Sequence, residues 1–182
     1  KKGVLGIDIA GPENKALEDI TDFIHYYKTA RAMDMITTVH AGETDHKGVE
    51  DELAFVIEKL KPQRIGHGIQ IHRFPKLLKK ASSAGIHFEI CISSNLMTKA
   101  VPDLEKFIEI FRIFEDNQIK YSINTDSTYL LKTNIRRENE IYQSLKDGPK
   151  WKAEDAYRQQ QRMTDLNKKM REIGVAAELP KN

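Results

Sequence analysis

Cysteine is nearly absent from this sequence, because Cys91 is the only one among 182 residues. A single cysteine excludes an intramolecular disulfide framework and is typical of a reducing compartment, so we expect a cytoplasmic protein. Long hydrophobic runs are also missing: no stretch approaches the roughly 20 apolar residues of a membrane span, and no secretory signal is visible. An excess of charge of one sign is missing as well, since the formal net charge is +2. The sequence therefore gives no electrostatic reason to expect binding to nucleic acid or to a membrane.

An initiator methionine is missing too, and the chain opens on Lys1-Lys2-Gly3 directly before an apolar run. We interpret this start as a truncation or as that of a piece of a longer protein. The remaining composition is ordinary for a globular domain, with 40% hydrophobic and 31% charged residues. A chain of 182 residues is long enough for one domain with its own core.

Short apolar runs alternate with amphipathic segments along the chain. The runs that we predict to be buried strands are residues 4–10, 35–39, 64–68, 86–91 and 119–124. The spacing predicts helices over 13–32, 49–60, 74–83, 102–116, 133–146 and 151–173. This alternation predicts a parallel sheet with right-handed crossovers. Because an eight-stranded barrel takes about 250 residues, two architectures stay open: an open five-stranded sheet, or a barrel completed by residues outside this chain.

Ionisable residues follow three of the five predicted strands. His40 and Glu43 come at the end of the second strand, His67 at the end of the third, and Asp126 after the fifth. The carboxyl ends of parallel strands meet at one edge of a sheet, which is where such folds bind ligands. Two imidazoles and two carboxyl groups at one edge suit a transition metal and proton transfer.

Each of these residues also has a structural interpretation. His40 suits a hydrogen bond to a loop carbonyl, His67 a turn position, and Glu43 and Asp126 helix caps. Their coincidence at one edge favours a functional site. Cys91 has no adjacent base, so we predict that it is buried and inert. The histidines predicted to be structural or solvated are His25, His46, His72 and His87.

Several ordered motifs resemble the adenosine deaminase family of the metal-dependent hydrolase superfamily. They are Gly6-Ile7-Asp8-Ile9-Ala10-Gly11 with Glu13, Thr38-Val39-His40-Ala41-Gly42-Glu43, Arg64-Ile65-Gly66-His67-Gly68, Glu89-Ile90-Cys91-Ile92-Ser93-Ser94-Asn95 and Asn124-Thr125-Asp126. In order and spacing they match strands four to eight of that family, from residue 3 to about 140. The resemblance implies an α/β fold: an incomplete TIM-like (β/α)8 barrel over 3–146, then a helix over about 150–173, within a single domain over 1–182.

The resemblance also implies a role for each residue at the strand ends. His40 would be a zinc ligand, and Asp126 a second ligand that also orients the attacking water. His67 would be the base and electrostatic partner, and Glu43 would give a proton to the purine ring nitrogen. Zinc supplies a nucleophile at neutral pH by lowering the pKa of a water molecule to about 7. Burial raises the pKa of a carboxyl group, which is how such a group stays protonated at pH 7.

The same resemblance implies contacts to the substrate. Gly11 would hydrogen-bond the purine through its backbone, and Ser127 would contact the imidazole side of the purine. Ser127 and Thr128 stand where the family usually has Asp-Pro, and serine brings no charge to that contact. A 6-aminopurine other than adenosine itself is therefore compatible with this site.

One expected part of the metal site is missing from the sequence. The family's His-x-His pair, which supplies two zinc ligands, occurs nowhere in the 182 residues. His40 and Asp126 alone are fewer than the three protein ligands of a typical catalytic zinc site. We therefore expect that this is the C-terminal part of a longer protein, with two further histidine ligands upstream.

Three functional interpretations stay open. The first is zinc-dependent hydrolytic deamination of adenosine or a related 6-aminopurine nucleoside to the inosine-type product and ammonia, in the full-length parent. The second is a truncated or degenerate relative without catalysis. The third is an amide or ester hydrolase of the same superfamily, which a ring-nitrogen proton donor at Glu43 suits less well. The other zinc deaminase class is excluded, because its Pro-Cys-x-x-Cys motif needs two cysteines. The sequence makes no prediction of oligomeric state.

Overall fold

A parallel sheet organises the fold. The computed structural model describes residues 3–11, 13, 21–153, 157, 161 and 164–165. The strands are β1 (Gly6–Ile9), β2 (Ile36–Ala41), β3 (Arg64–His67), β4 (His87–Ile90) and β5 (Lys120–Ile123). The helices are α1 (Phe23–Ala32), α2 (Val49–Phe55), α3 (Pro75–Ala84), α4 (Ile92–Met97), α5 (Leu104–Asp116), α6 (Thr128–Leu131) and α7 (Ile135–Asp147). A π-helical turn over Val56–Leu60 continues α2, and a 3₁₀ helix over Ile69–Arg73 precedes α3.

The strand order is sequential. β1 to β5 pair with one another in chain order, and every pair is parallel. A doubly wound sheet reverses its strand order at a switch point, whereas each crossover here moves in the same direction. Sequential parallel winding is that of a (β/α)8 barrel, so the predicted incomplete barrel is confirmed.

The two faces of the sheet differ in polarity because side chains alternate along each strand. Val39, Ile65 and Phe88 are register partners on one face, and each is at most 3% exposed. This face packs against the helices, as the contact between Phe88 and Phe114 of α5 shows, with ring centroids 5.6 Å apart. The opposite face carries polar pairs: Arg64 with Glu89, and His87 with Ser122. The polar face is the one that surrounds the candidate site.

Within the described residues the predicted elements are present, with shifted boundaries. β2 runs to Ala41, so His40 lies inside the strand and not after it. The helix predicted over 74–83 is α3, with Pro75 in its first turn and Gly85, at φ 68°, as its C-terminal cap. Three short helical segments were not predicted, because single turns carry too few residues to show a periodicity. They are Ile69–Arg73, Ile92–Met97 and Thr128–Leu131.

Two predicted helices fall partly outside the described residues. Of the helix predicted over 13–32, the structure describes Phe23–Ala32. Of the one over 151–173, residues 151–153, 157, 161 and 164–165 are described, and these are helical. No helix in the described ranges combines the length and the apolar character needed to cross a membrane.

The chain divides into two compact units, over residues 1–142 and 143–182. The first unit contains the whole sheet and the candidate site. In the second unit, the Lys146 ammonium lies 5.2 Å from the centroid of the Trp151 ring. A single domain over 1–182 stays a prediction.

Candidate functional site

His40 is held from two sides. Its Nδ1 lies 3.2 Å from Oδ1 of Asp8, which stands on β1 two residues before the position level with His40 and therefore on the same face. A carboxylate on one ring nitrogen fixes the ring and leaves Nε2 available to a ligand. On β3, Gly66 is the register partner of His40, and a Cβ at Gly66 would come within 2.7 Å of the imidazole ring. Only glycine leaves room for this ring orientation.

His67 reaches the site through an irregular backbone. Its register partner is Ala41, so regular alternation would direct its side chain to the face opposite His40. The φ of His67 is 57°, in the left-handed region that non-glycine residues rarely adopt. As a result its ring lies 5.7 Å from that of His40, centroid to centroid, and is 5% exposed. Non-glycine residues in this conformation cluster at functional sites.

Glu43 follows a turn at Gly42, whose φ is 65°. Oε1 of the Glu43 carboxyl accepts hydrogen bonds from Asn95 Nδ2 at 3.2 Å and from Thr98 Oγ1 at 2.9 Å. Oε2 lies 3.7 Å from Nε2 of His67. Asn95 of α4 and Thr98, the C-cap residue of that helix, therefore fix the carboxyl group beside the His67 ring.

Glu13 holds the backbone of the same turn. Its carboxylate accepts hydrogen bonds from the Glu43 amide at 2.8 Å and from the Thr44 amide at 2.7 Å, and a third from the Thr44 hydroxyl at 2.8 Å. These bonds connect the exit loop of β1 to that of β2. They limit the freedom of the loop that carries Glu43.

Asp126 follows β5 with a φ of 56° and accepts a hydrogen bond from Ser94 Oγ at 2.6 Å. Ser94 belongs to α4, which also carries Asn95 and has Thr98 as its C-cap residue. The fully buried Glu138 anchors this helix by accepting a hydrogen bond from the Ser93 amide at 3.0 Å. One short helix thus contacts both Glu43 and Asp126.

Three of the predicted residues share a cavity. It has a volume of about 120 Å³ and is lined by His40, Gly66, His67, Glu89, Cys91, Asn124, Thr125 and Asp126. Glu43 stands at its edge through its approach to His67. The structure therefore brings together His40, Glu43, His67 and Asp126, which come from three strand ends that are far apart in the chain.

Gly11 and Ser127 do not line this cavity. Both are exposed at the same edge of the sheet, Gly11 after β1 and Ser127 directly after Asp126. Their predicted contacts to a substrate stay predictions. Cys91 does line the cavity, but burial raises the pKa of its thiol to about 12, with Asp126 adding to the shift. Cys91 is therefore buried and protonated, as expected for an inert thiol.

A second group of potential metal ligands lies next to the turn that carries Glu43. Glu13, His46 and Glu52 place ligand atoms within 4.8 Å of one another. Both nitrogens of His46 face acceptors: Nε2 lies 2.8 Å from Glu52 and Nδ1 lies 3.3 Å from the Lys47 carbonyl. Although burial opposes it, the hydrogen bond to Glu52 raises the pKa of His46. Both ring nitrogens of His46 therefore have hydrogen-bond partners without a metal.

Five contributing residues were assigned no individual role from the sequence, although all but Thr98 stand in the motifs that carry the resemblance: Asp8, Glu13, Ser94, Asn95 and Thr98. Only for Asp8 did the sequence contain an indication, because a single carboxylate inside an apolar strand suggests a polar partner on the same face of the sheet. The other four residues contact side chains or backbone of a different secondary-structure element, and no local sequence pattern predicts such contacts.

Comparison with known proteins leads to the same family as the sequence motifs do. The family model described as adenosine deaminase matches residues 1–168. The adenosine deaminase of Danio rerio is 32% identical over 148 residues, which are 81% of this chain and 40% of that protein. The N6-methyl-AMP deaminase of Arabidopsis thaliana, a solved structure, matches with a TM-score of 0.65 and 25% identity over 79% of this chain and 40% of that one. A zinc-bound amidohydrolase from Burkholderia ambifaria matches with a TM-score of 0.63 and 26% identity, over 78% and 38% of the two chains.

These matches cover most of this chain but a minor part of each relative. The chain spans about 40% of the length of the curated relatives that it matches. The matched part contains the sequential parallel strands and the cluster at their carboxyl ends. The chain belongs to the adenosine deaminase family.

Proposed function

We propose that these residues form part of the active site of a zinc-dependent hydrolytic deaminase acting on a 6-aminopurine nucleoside or nucleotide, in the complete gene product. The observation that carries the proposal is the convergence of His40, His67 and Asp126 on one cavity, with Glu43 fixed beside His67. Family membership supports the reaction class. A cytoplasmic location agrees with the single cysteine and stays a prediction.

The residues present suit a metal ion. Asp8 occupies Nδ1 of His40 and leaves Nε2 for a ligand, while Asp126 offers a carboxylate in the same cavity. Imidazole nitrogen and carboxylate oxygen are ordinary zinc ligands, and a related amidohydrolase is described with bound zinc. When bound, zinc supplies a nucleophile from water at neutral pH. Two further ligands are needed, because the 182 residues contain no His-x-His pair.

The side chains of this chain have separate tasks in the proposed reaction. Glu43 gives a proton to the ring nitrogen next to the reacting carbon, so that the ring accepts electrons as ammonia is displaced. Asp126 holds the attacking water in line, and His67 acts as base and electrostatic partner. Gly11 and Ser127 contact the purine from the exit loops of β1 and β5.

The substrate class follows from the site and from the relatives. The names of the relatives include adenosine deaminase and N6-methyl-AMP deaminase, which both act on 6-aminopurines. Ser127 offers a hydroxyl and no charge at the position where the family usually has Asp. We therefore propose a 6-aminopurine substrate, adenosine or a derivative of it.

Ammonia release from adenosine, AMP and N6-methyl-AMP, measured with the complete gene product, tests this proposal. Glu43→Gln, His40→Ala and Asp126→Ala should each lower turnover by at least about 10²-fold, because each removes a group that acts in the reaction. Normal turnover in one of them would remove that residue from the mechanism. Exposed Thr29→Val on α1 is a matched surface control and should keep full activity.

A second candidate is a non-catalytic relative. It is favoured by one observation: of the residues that line the described cavity, two, His40 and Asp126, are the ones to which the resemblance assigns zinc binding. Metal analysis of the 182-residue chain beside the complete gene product separates the two. A deaminase gives one zinc per site and ammonia release in the complete product; a non-catalytic relative gives neither.

A further inference from the structure

We propose that Asn95 of α4 and Thr98, the C-cap residue of that helix, are positioning residues that hold Oε1 of Glu43 and so make Oε2 the oxygen that carries the transferable proton. The inference rests on the proposed function, since it specifies which atom of Glu43 performs the proton transfer. It concerns two residues for which the sequence indicated no role. The other candidate cluster, Glu13 with His46 and Glu52, satisfies its own hydrogen bonds.

The geometry distinguishes the two carboxyl oxygens. Oε1 accepts from the Asn95 amide at 3.2 Å and from the Thr98 hydroxyl at 2.9 Å. The Ser94 carbonyl, at 3.1 Å, is a more distant acceptor for the Thr98 hydroxyl. Asn95 and Thr98 are three residues apart on a helical segment, and residues at this spacing lie on one face. Both therefore approach the carboxyl group of Glu43 from the same side and meet the same oxygen.

Two donors at Oε1 determine where the proton of a neutral carboxyl group resides. A protonated carboxyl group has one hydroxyl oxygen and one carbonyl oxygen, and the carbonyl oxygen is the better acceptor. A proton on Oε1 would face two donors, whereas a proton on Oε2 leaves both hydrogen bonds intact. Oε2 lies 3.7 Å from His67 Nε2, beyond hydrogen-bond distance, so its proton stays available to a ligand.

Asn95 also fixes the ring of His67. Its amide nitrogen lies 3.0 Å from His67 Nδ1. The amide group therefore donates one hydrogen to Oε1 of Glu43 and the other to Nδ1 of His67. With Nδ1 as acceptor, a neutral His67 carries its proton on Nε2, the nitrogen that faces Glu43. In this tautomer Nε2 of His67 is a hydrogen-bond donor, which serves the electrostatic part of its proposed role.

The burial of Asn95 reduces the stability of the fold. The side chain is fully buried, and its Oδ1 has no hydrogen-bond partner among the described residues. An unsatisfied buried carbonyl disfavours folding, so packing alone would favour an apolar residue at this position. The two hydrogen bonds that the amide nitrogen donates give a functional reason for asparagine.

Thr98→Val tests the proposal with little risk to folding, because Thr98 is exposed and valine has the same shape. In the complete gene product we expect kcat to fall about tenfold with KM within about twofold of wild type, since one of two orienting donors is lost. Thr98→Ser keeps the hydroxyl and should restore kcat. Thr29→Val controls for a threonine-to-valine change on an exposed helix. A wild-type kcat in Thr98→Val, or no rescue by serine, would overturn the proposal.

Asn95→Asp removes both donated hydrogen bonds at nearly constant shape, and we expect a fall in kcat of more than about 10²-fold. Circular dichroism reports whether this buried change also unfolds the protein. If it does, the Thr98 pair still decides the question.

A third measurement is independent of activity. In an atomic-resolution crystal structure of the complete gene product at acidic pH, the Cδ–Oε2 bond of Glu43 should be longer than Cδ–Oε1, as in a carboxylic acid protonated on Oε2. A longer Cδ–Oε1 bond, or equal bonds, would overturn the inference even if the protein deaminates purines. The expected bond lengths in a protein without deaminase activity would overturn only the proposed function.

Discussion

Removing the Asp8 carboxylate tests the metal site through a residue that does not itself bind the metal. In Asp8→Ala, His40 loses the hydrogen-bond partner of its Nδ1. The ring then has to be ordered by the metal itself, and Nε2 becomes a weaker ligand. We expect zinc affinity to fall while the fold is kept, because Asp8 is half exposed.

The structure sets the size of this effect. Loss of such an outer partner typically costs 10-fold to 100-fold in metal affinity. Here the bond is 3.2 Å long, and the side chains of Asp8 and His40 are 45% and 34% exposed, so water competes for both partners. We therefore expect the lower end, about tenfold or about 1.4 kcal/mol. Asp8→Asn keeps an acceptor without the charge and should lose about threefold, since hydrogen bonds to charged groups are about twice as strong.

Competition with a chromophoric chelator measures the zinc affinity of the complete gene product and its variants. Asp51→Ala, an exposed aspartate in the first turn of α2, is the matched control and should bind zinc as wild type does. Thermal unfolding followed by circular dichroism checks that Asp8→Ala is folded. Wild-type affinity in a folded Asp8→Ala would show that Asp8 does not orient His40 for a metal.

Three further predictions concern the surroundings of the site. Gly66→Ala should abolish zinc binding and destabilise the protein by about 1–3 kcal/mol in urea unfolding, because its Cβ would meet the His40 ring; unchanged values of both would contradict the observed contact. Phe88→Ala should cost about 3–5 kcal/mol, since this fully buried ring packs against Phe114; a loss below 1 kcal/mol in the same assay would mean that the core refills the space. The raised pKa of Cys91 predicts no native-state reaction with a thiol reagent between pH 7 and about 9, and reaction once urea unfolds the chain; labelling of the folded protein at pH 8 would contradict the burial.

Much of the fold could be predicted from the sequence, because it depends on local patterns. Each strand is a short apolar run, and each crossover helix has an apolar stripe, so the order of elements follows from periodicity. Parallel pairing follows from that order, and it places the end of every strand at one edge. The candidate residues His40, His67 and Asp126 were therefore predictable as neighbours, although they are up to 86 positions apart in the sequence.

Element boundaries depend on contacts outside the element and were less predictable. β2 extends to Ala41 because β3 continues to pair with it there, up to His67. α4 was missed because six residues are too few for a helical period. Yet α4 carries two of the side chains that hold Glu43 and Asp126, and its C-cap residue Thr98 is a third.

The sequence by itself determined which residue types stand at the strand ends, and hence the chemistry that the edge can perform. Only the tertiary structure decided their directions. Alternation along β3 would turn His67 away from His40, and the left-handed backbone at His67 reverses that direction. Likewise, Asn95 and Thr98 select one oxygen of Glu43 across more than 50 residues of sequence. Such contacts depend on how separate elements pack together, and no periodicity within one element specifies them.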